Sequence, residues 1–162
     1  MILQKDVVAS AQAWEQAYFV TAAADNANLF VAYEYLPAPT DNPVVPYSAH
    51  QWYQTMGQPL DIDWQPTVEY EITMMMYTMI LFGQEDDPVG ILDKRALQWA
   101  DAMVLGQLAH IDQGITRGPA AVAVTTTMGT IEKVNYQLSN HRLDVGLQVL
   151  NKICIRQLLP TV

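Results

Sequence analysis

The stretch HRLDVGLQVLNKICIRQLLP, residues 141 to 160, constrains the fold of this chain more than any other. Leu143, Val145, Leu147, Val149, Ile153 and Ile155 fall at every second position, with Asp144, Gln148, Lys152 and Arg156 between them. Successive side chains of a strand point to opposite faces, so this pattern predicts a half-buried β-strand, stopped by Pro160. Each aliphatic side chain it buries contributes roughly 1.5–3 kcal/mol. A long strand of this kind requires partners and a layer to cover its apolar side.

A second segment adds to that requirement. TVEYEITMMMYTMILF, residues 67 to 82, has the Val, Tyr, Ile and Thr content of a strand. Read as a helix it has no clean polar face, because Tyr70, Met74, Tyr77 and Leu81 oppose Ile72, Met75, Met76 and Met79. Read as a strand it is apolar on both sides. Met74, Met76, Ile80 and Phe82 take one face; Met75, Tyr77, Met79 and Leu81 take the other. One core covers one face of a sheet, so the second needs more of this chain or a neighbouring subunit. Met75, Tyr77, Met79 and Leu81 are therefore candidate interface residues, with Lys152 and Arg156 of the last strand beside them. Glu69 and Glu71 share a strand face and form a candidate acidic stripe.

Helices supply the covering layer. Residues 6 to 25 place Val7, Ala11, Trp14, Tyr18 and Thr21 at helical spacing, with Gln12, Glu15 and Gln16 on the polar side. After GQEDDPVG, Asp87 is suited to accept from the free amides of a helix start and Pro88 to take the first helical position. The predicted helix runs to about Ile111, with Leu92, Ala96, Trp99, Met103, Val104 and Leu108 as its apolar stripe. NLFVAYEYL, residues 28 to 36, predicts a short strand. AAVAVTTT and TIEKVNYQL predict two strands joined around Gly129. Between residues 28 to 36 and residues 67 to 82, the segment from 37 to 66 carries six prolines, at 37, 39, 43, 46, 59 and 66. Proline removes a backbone donor, so this excursion is expected to hold only short or edge structure. The expected fold is α+β: a single domain over residues 1 to 162, a mostly antiparallel sheet packed with one or two helices, and a long proline-rich arm.

At 162 residues the chain folds away roughly 70% of its extended surface. No apolar run reaches the ~18 residues of a membrane helix, and MILQKD lacks the pattern of a secretory signal. The lone Cys154 excludes an intrachain disulfide and fits a reducing compartment, so a soluble intracellular protein, or one assembled inside a cell, is expected. A net charge of −9 disfavours nonspecific nucleic-acid binding. Residues 1 to 93 hold thirteen acids and one base (−12); residues 94 to 162 hold seven bases and four acids (+3), and the two sum to −9. This permits surfaces of opposite sign, although scattered solvated charge explains it equally well.

Catalytic and metal signatures are sparse. The methionines of MMMYTM alternate between faces and cannot converge on one soft ion. His50, His110 and His141 match no zinc spacing, and no serine sits in a nucleophile turn. Cys154 has no local signature of a nucleophile, and phosphate-binding glycine loops are missing. Paired carboxylates at Asp61 and Asp63 and at Glu69 and Glu71 leave one enzymatic alternative, a small acidic metal-dependent enzyme. A binding module whose proline-rich arm holds a small ligand is another. Neither outweighs the apolar surface, and the expectation is a non-enzymatic assembly protein without catalytic, cofactor or metal residues.

The order of these elements resembles the tail terminator (head–tail joining, tail completion) proteins of tailed bacteriophages. The resemblance lies in an N-terminal helix, a proline-containing segment leading into QPTVEYEITMMMYTMI, and the helix LDKRALQWADAMVLGQL. It ends in the strand–turn–strand pattern TTTMGTIEKVNYQLSNHRLDVGLQVLNKICIRQLLP. It implies a virion structural protein of the tail and neck that forms a ring, a hexamer in this family. Such a ring caps the tail tube, contacts tube and sheath protein on one side and the neck connector on the other, and does no bond chemistry. Genomic DNA would pass through the lumen without sequence-specific binding. Another neck or tail-completion protein of the same virion fits the same pattern.

Overall fold

The computed structural model describes residues 3–61, 67–109, 121–139 and 141–160. Helix α1 (Gln4–Phe19) and a short 3₁₀ turn (Ala27–Leu29) precede strands β1 (Val31–Tyr35), β2 (Tyr47–Asp61) and β3 (Thr67–Gln84). Helix α2 (Val89–Ala109) leads to β4 (Ala121–Ser139) and β5 (Arg142–Pro160). The strands form one sheet in the order β1-β2-β3-β5-β4. Only β1 and β2 run parallel; the other neighbours are antiparallel. The fold is α+β, with a mostly antiparallel sheet.

The alternation of residues 141 to 160 does what the pattern requires. Leu147, Val149, Ile153 and Ile155 point to the face that carries both helices. There Val7, Val8 and Ala11 of α1 close over Met74, Met76, Ile153 and Ile155. Phe19, Trp99 and Met103 close over Ile80, Phe82, Leu147 and Val149. Aromatic contacts tie this second cluster together, with Phe19 edge-on to Phe30 at 5.5 Å between ring centres.

Several expectations change. Residues 47 to 61, expected within an irregular excursion, form the fifteen-residue strand β2. Four of the prolines precede it, and Pro59 lies beyond the last β1 partner, His50, where the strand is an edge. The segment expected as two strands is the single strand β4. A register shift between Met128 and Ile131 absorbs Gly129, whose Cβ would meet the Leu150 carbonyl oxygen at 2.8 Å. Helix α1 ends at Phe19, before the predicted end at residue 25. Val104 is exposed, because among the described residues α2 is covered on the side of Trp99, Ala102 and Met103. Asp87 does not cap α2; its Oδ2 accepts from the Gln84 amide at 2.9 Å and pairs with Arg95. Glu15, expected on the polar side of α1, is buried.

Candidate functional site on the open face of the sheet

With both helices on one side, the other face of β3, β5 and β4 is covered, among the described residues, at one end only. There β1, the turn before β2 and the end of β4 supply the cover. Met79 and Leu81 pack with Tyr47, and Tyr33, Leu36, Val45, Val134 and Tyr136 close around them. Hydrogen bonds fix this cover. The Tyr47 hydroxyl donates to Asp144 Oδ2 at 2.6 Å, and Arg142 Nε donates to Asp144 Oδ1 at 2.9 Å. Arg142 Nη2 also donates to the Pro43 carbonyl at 2.5 Å, and the Tyr136 hydroxyl to the Pro37 carbonyl at 2.6 Å. Burial and the adjacent Asp144 carboxylate push the Tyr47 hydroxyl well above its ordinary pKa. The proline-containing segment is thus clasped onto its own sheet. Met79 and Leu81, expected at a partner interface, are correspondingly withdrawn from any neighbour.

Further along the same face the cover stops among the described residues. Met75 and Tyr77 are half-buried and line an open groove of about 350 Å³ with Met128, Leu150, Lys152 and Glu132. The groove exists because the register shift at Gly129 leaves β4 without a bulky side chain beside Leu150. At the β2 side, the irregularity between Trp52 and Gln54 makes Tyr53 an extra residue in the strand. Its ring meets Tyr77 edge-on at 5.8 Å, and Gln54 Nε2 approaches Met75 Sδ at 3.2 Å. Tyr53 and Met56 are more than half exposed. These two extend the apolar surface of Met75, Tyr77 and Leu150, and β2 beyond His50 has no strand on its outer side among the described residues.

Next to the groove the face becomes polar. Met75 is opposite Lys152, and Glu71 is opposite Arg156. Arg156 pairs with Glu69 instead of its direct partner. Glu69 is thus paired with a guanidinium and is not part of an open acidic stripe. Burial raises the Cys154 thiol above its ordinary pKa, and the Glu71 carboxylate beside it acts in the same direction. That is the reverse of what an activated thiolate needs. Among the described residues no three His, Cys, Asp or Glu side chains converge to hold a metal ion. Asp63, His110 and the Asp61 side chain lie outside the described residues.

A second apolar surface lies on the far side of the molecule. Leu97, Leu105 and Val104 face outward from α2, with Leu97 70% exposed. The sequence pattern did not single it out, because α2 is apolar on more than one side and its strongest stripe is the buried one. The charge asymmetry between the two halves is used partly within the chain. Lys94 and Arg95 reach Asp25, Arg95 also Asp87, and Lys133 reaches Asp93. No helix among the described residues is long and apolar enough to cross a membrane.

No protein-family model matches the chain, and no curated protein matches it either. The class that fold and site define is an α+β protein with both helices on one sheet face and a grooved apolar patch on the other.

Proposed function

We propose that this chain is a non-enzymatic structural subunit of a phage tail or neck, a tail terminator that assembles head to tail into a ring. The observation that carries this reading is the pair of unlike apolar surfaces on opposite sides of one subunit. One is the groove with Tyr53, Met56, Met75 and Tyr77; the other is the outer side of α2 with Leu97, Val104 and Leu105. A heterologous ring joins a patch on each subunit to a different patch on the next, whereas a two-fold dimer uses one self-complementary patch. Large apolar side chains grouped at a surface mark interaction sites more often than chance exposure does.

On this reading the partners are further copies of the chain, six in the ring, with the tail tube and sheath below and the neck connector above. The acidic balance of −9 suits a bore that repels phosphate and lets genomic DNA slide. Its place is the virion, after assembly in the host cytoplasm. Sedimentation of the purified protein and electron microscopy with isolated tail tubes test the reading. The expected result is a closed ring seated on tube ends. A protein that stays monomeric at high concentration and ignores tube ends overturns it.

A further inference from the structure

Beneath α1, away from both apolar surfaces, a small cleft of about 20 Å³ lies between α1, α2 and the sheet. Its walls are apolar at Phe19, Met103 and Val149, with Trp14 and Gln107 completing them. Glu15 from α1 and Asn151 from β5 also line it, at 2% and 1% exposure. One oxygen of each, Glu15 Oε1 and Asn151 Oδ1, has no hydrogen-bond partner among the described residues. Both are acceptors, so neither satisfies the other. Buried acceptors without a donor are costly and rare, and two lining one cleft point to a donor between them.

The remaining atoms of this cluster fix what that donor is. His50 Nδ1 faces the Glu34 carbonyl at 2.9 Å, so it carries a hydrogen. His50 Nε2 faces Glu15 Oε2 at 2.5 Å and takes up that oxygen. Asn151 Nδ2 donates to Thr78 Oγ1 at 3.0 Å, leaving Oδ1 as the free end of the amide. Glu15 Oε2 is thus already taken up by His50. A cation in the cleft would meet too few oxygens to replace its hydration shell. A neutral group with two hydrogens to give meets both acceptors. The space suits one water molecule, which requires about 10–15 Å³.

We propose that this cleft is a built site for a single water molecule that donates one hydrogen to Glu15 Oε1 and the other to Asn151 Oδ1. The water completes a chain from the Glu34 carbonyl of β1 through His50, Glu15 and Asn151 to Thr78 of β3. Helix α1 is thereby pinned to both halves of the sheet by polar contacts inside an otherwise apolar layer.

The test uses the unmodified protein. A crystal structure at atomic resolution is expected to show one water peak within hydrogen-bonding distance of both oxygens. Crystals soaked in rubidium chloride are expected to show no anomalous signal there. Melting temperatures in lithium, sodium, potassium, ammonium and choline chlorides at matched ionic strength are expected to agree. Rubidium at the site, or a melting temperature raised by one cation alone, overturns the proposal. An Asn151 amide turned over to donate directly to Glu15, or an atomic-resolution map without a peak, also overturns it.

Discussion

His50 Nε2 lies 2.5 Å from Glu15 Oε2, and this contact joins the middle of α1 to the start of β2 with both side chains out of water. Burial by itself would lower the pKa of His50. The Glu15 charge, the hydrogen bond to it and the backbone of Glu34 and Tyr33 outweigh that and hold it above the ordinary value. A histidine with a raised folded pKa binds its proton more tightly in the native state. Its contribution is complete below about pH 6.5, the unfolded-chain value, and is lost as pH rises through the elevated folded value. The expected result is a melting temperature that falls with rising pH across that window, with the slope abolished in His50→Gln. His50→Ala, which strands the Glu15 carboxylate, is expected to cost about 3–5 kcal/mol in denaturant unfolding near neutral pH.

The Tyr47–Asp144–Arg142 clasp makes a second prediction. Asp144 is fully buried and receives hydrogen bonds from both neighbours, while Arg142 also holds the Pro43 carbonyl. Tyr47→Phe removes one charge-assisted bond and is expected to cost about 1.5–3 kcal/mol. Asp144→Ala also frees Arg142, and so loosens its hold on the segment before β2. Limited proteolysis is expected to cut Asp144→Ala within residues 37 to 46 faster than Tyr47→Phe, and both faster than the wild type. Equal cleavage rates in all three would mean that packing alone seats this segment.

How much of this was legible in the sequence depended on period. The two-residue alternation of β5 marked its core face, and alternation also sent Met74 and Met76 under the helices and Met75 to the other side. Strand β2 was hidden because prolines on both sides of residues 47 to 58 masked a run that β3 pairs along its length. Strand β4 looked broken because a bulge and a turn carry the same glycine signal; only register distinguishes them. Glu15 reads as polar on a helical wheel, which does not show the histidine thirty-five residues away that meets it. The site was legible in half: alternation marked Met75 and Tyr77, but which part of that face this chain covers depends on where residues 33 to 46 return.

Two glycines test the close packing of the scaffold. A Cβ on Gly146 would fall on the Ile80 carbonyl oxygen of β3, backbone that cannot rotate away. Gly146→Ala is expected to cost about 1–3 kcal/mol or more through forced strand separation. At Gly90, in the first turn of α2, nothing lies within 4 Å of the added carbon. Gly90→Ala is expected to be neutral or to stabilise by about 0.5–1 kcal/mol, since alanine loses less freedom in a helix. Urea midpoints of the two variants, measured side by side, check both signs.

The strongest separation of folding from assembly lies within one strand face. Met79 is 3% exposed beneath Tyr47 and its neighbours, whereas Met75 borders the groove. An aspartate at 79 would be buried without a partner, and Met79→Asp is expected to leave little folded protein. An aspartate at 75 reaches solvent and has Lys152 directly across the strand pair, so Met75→Asp is expected to fold with a near-wild-type melting temperature. On the ring reading it places a charge in an apolar subunit contact, and assembly is expected to weaken at least tenfold in sedimentation, roughly 1.4 kcal/mol per contact. Leu97→Glu, on the outer side of α2, is expected to do the same from the opposite surface. Normal assembly by both Met75→Asp and Leu97→Glu would remove these two surfaces from any ring contact.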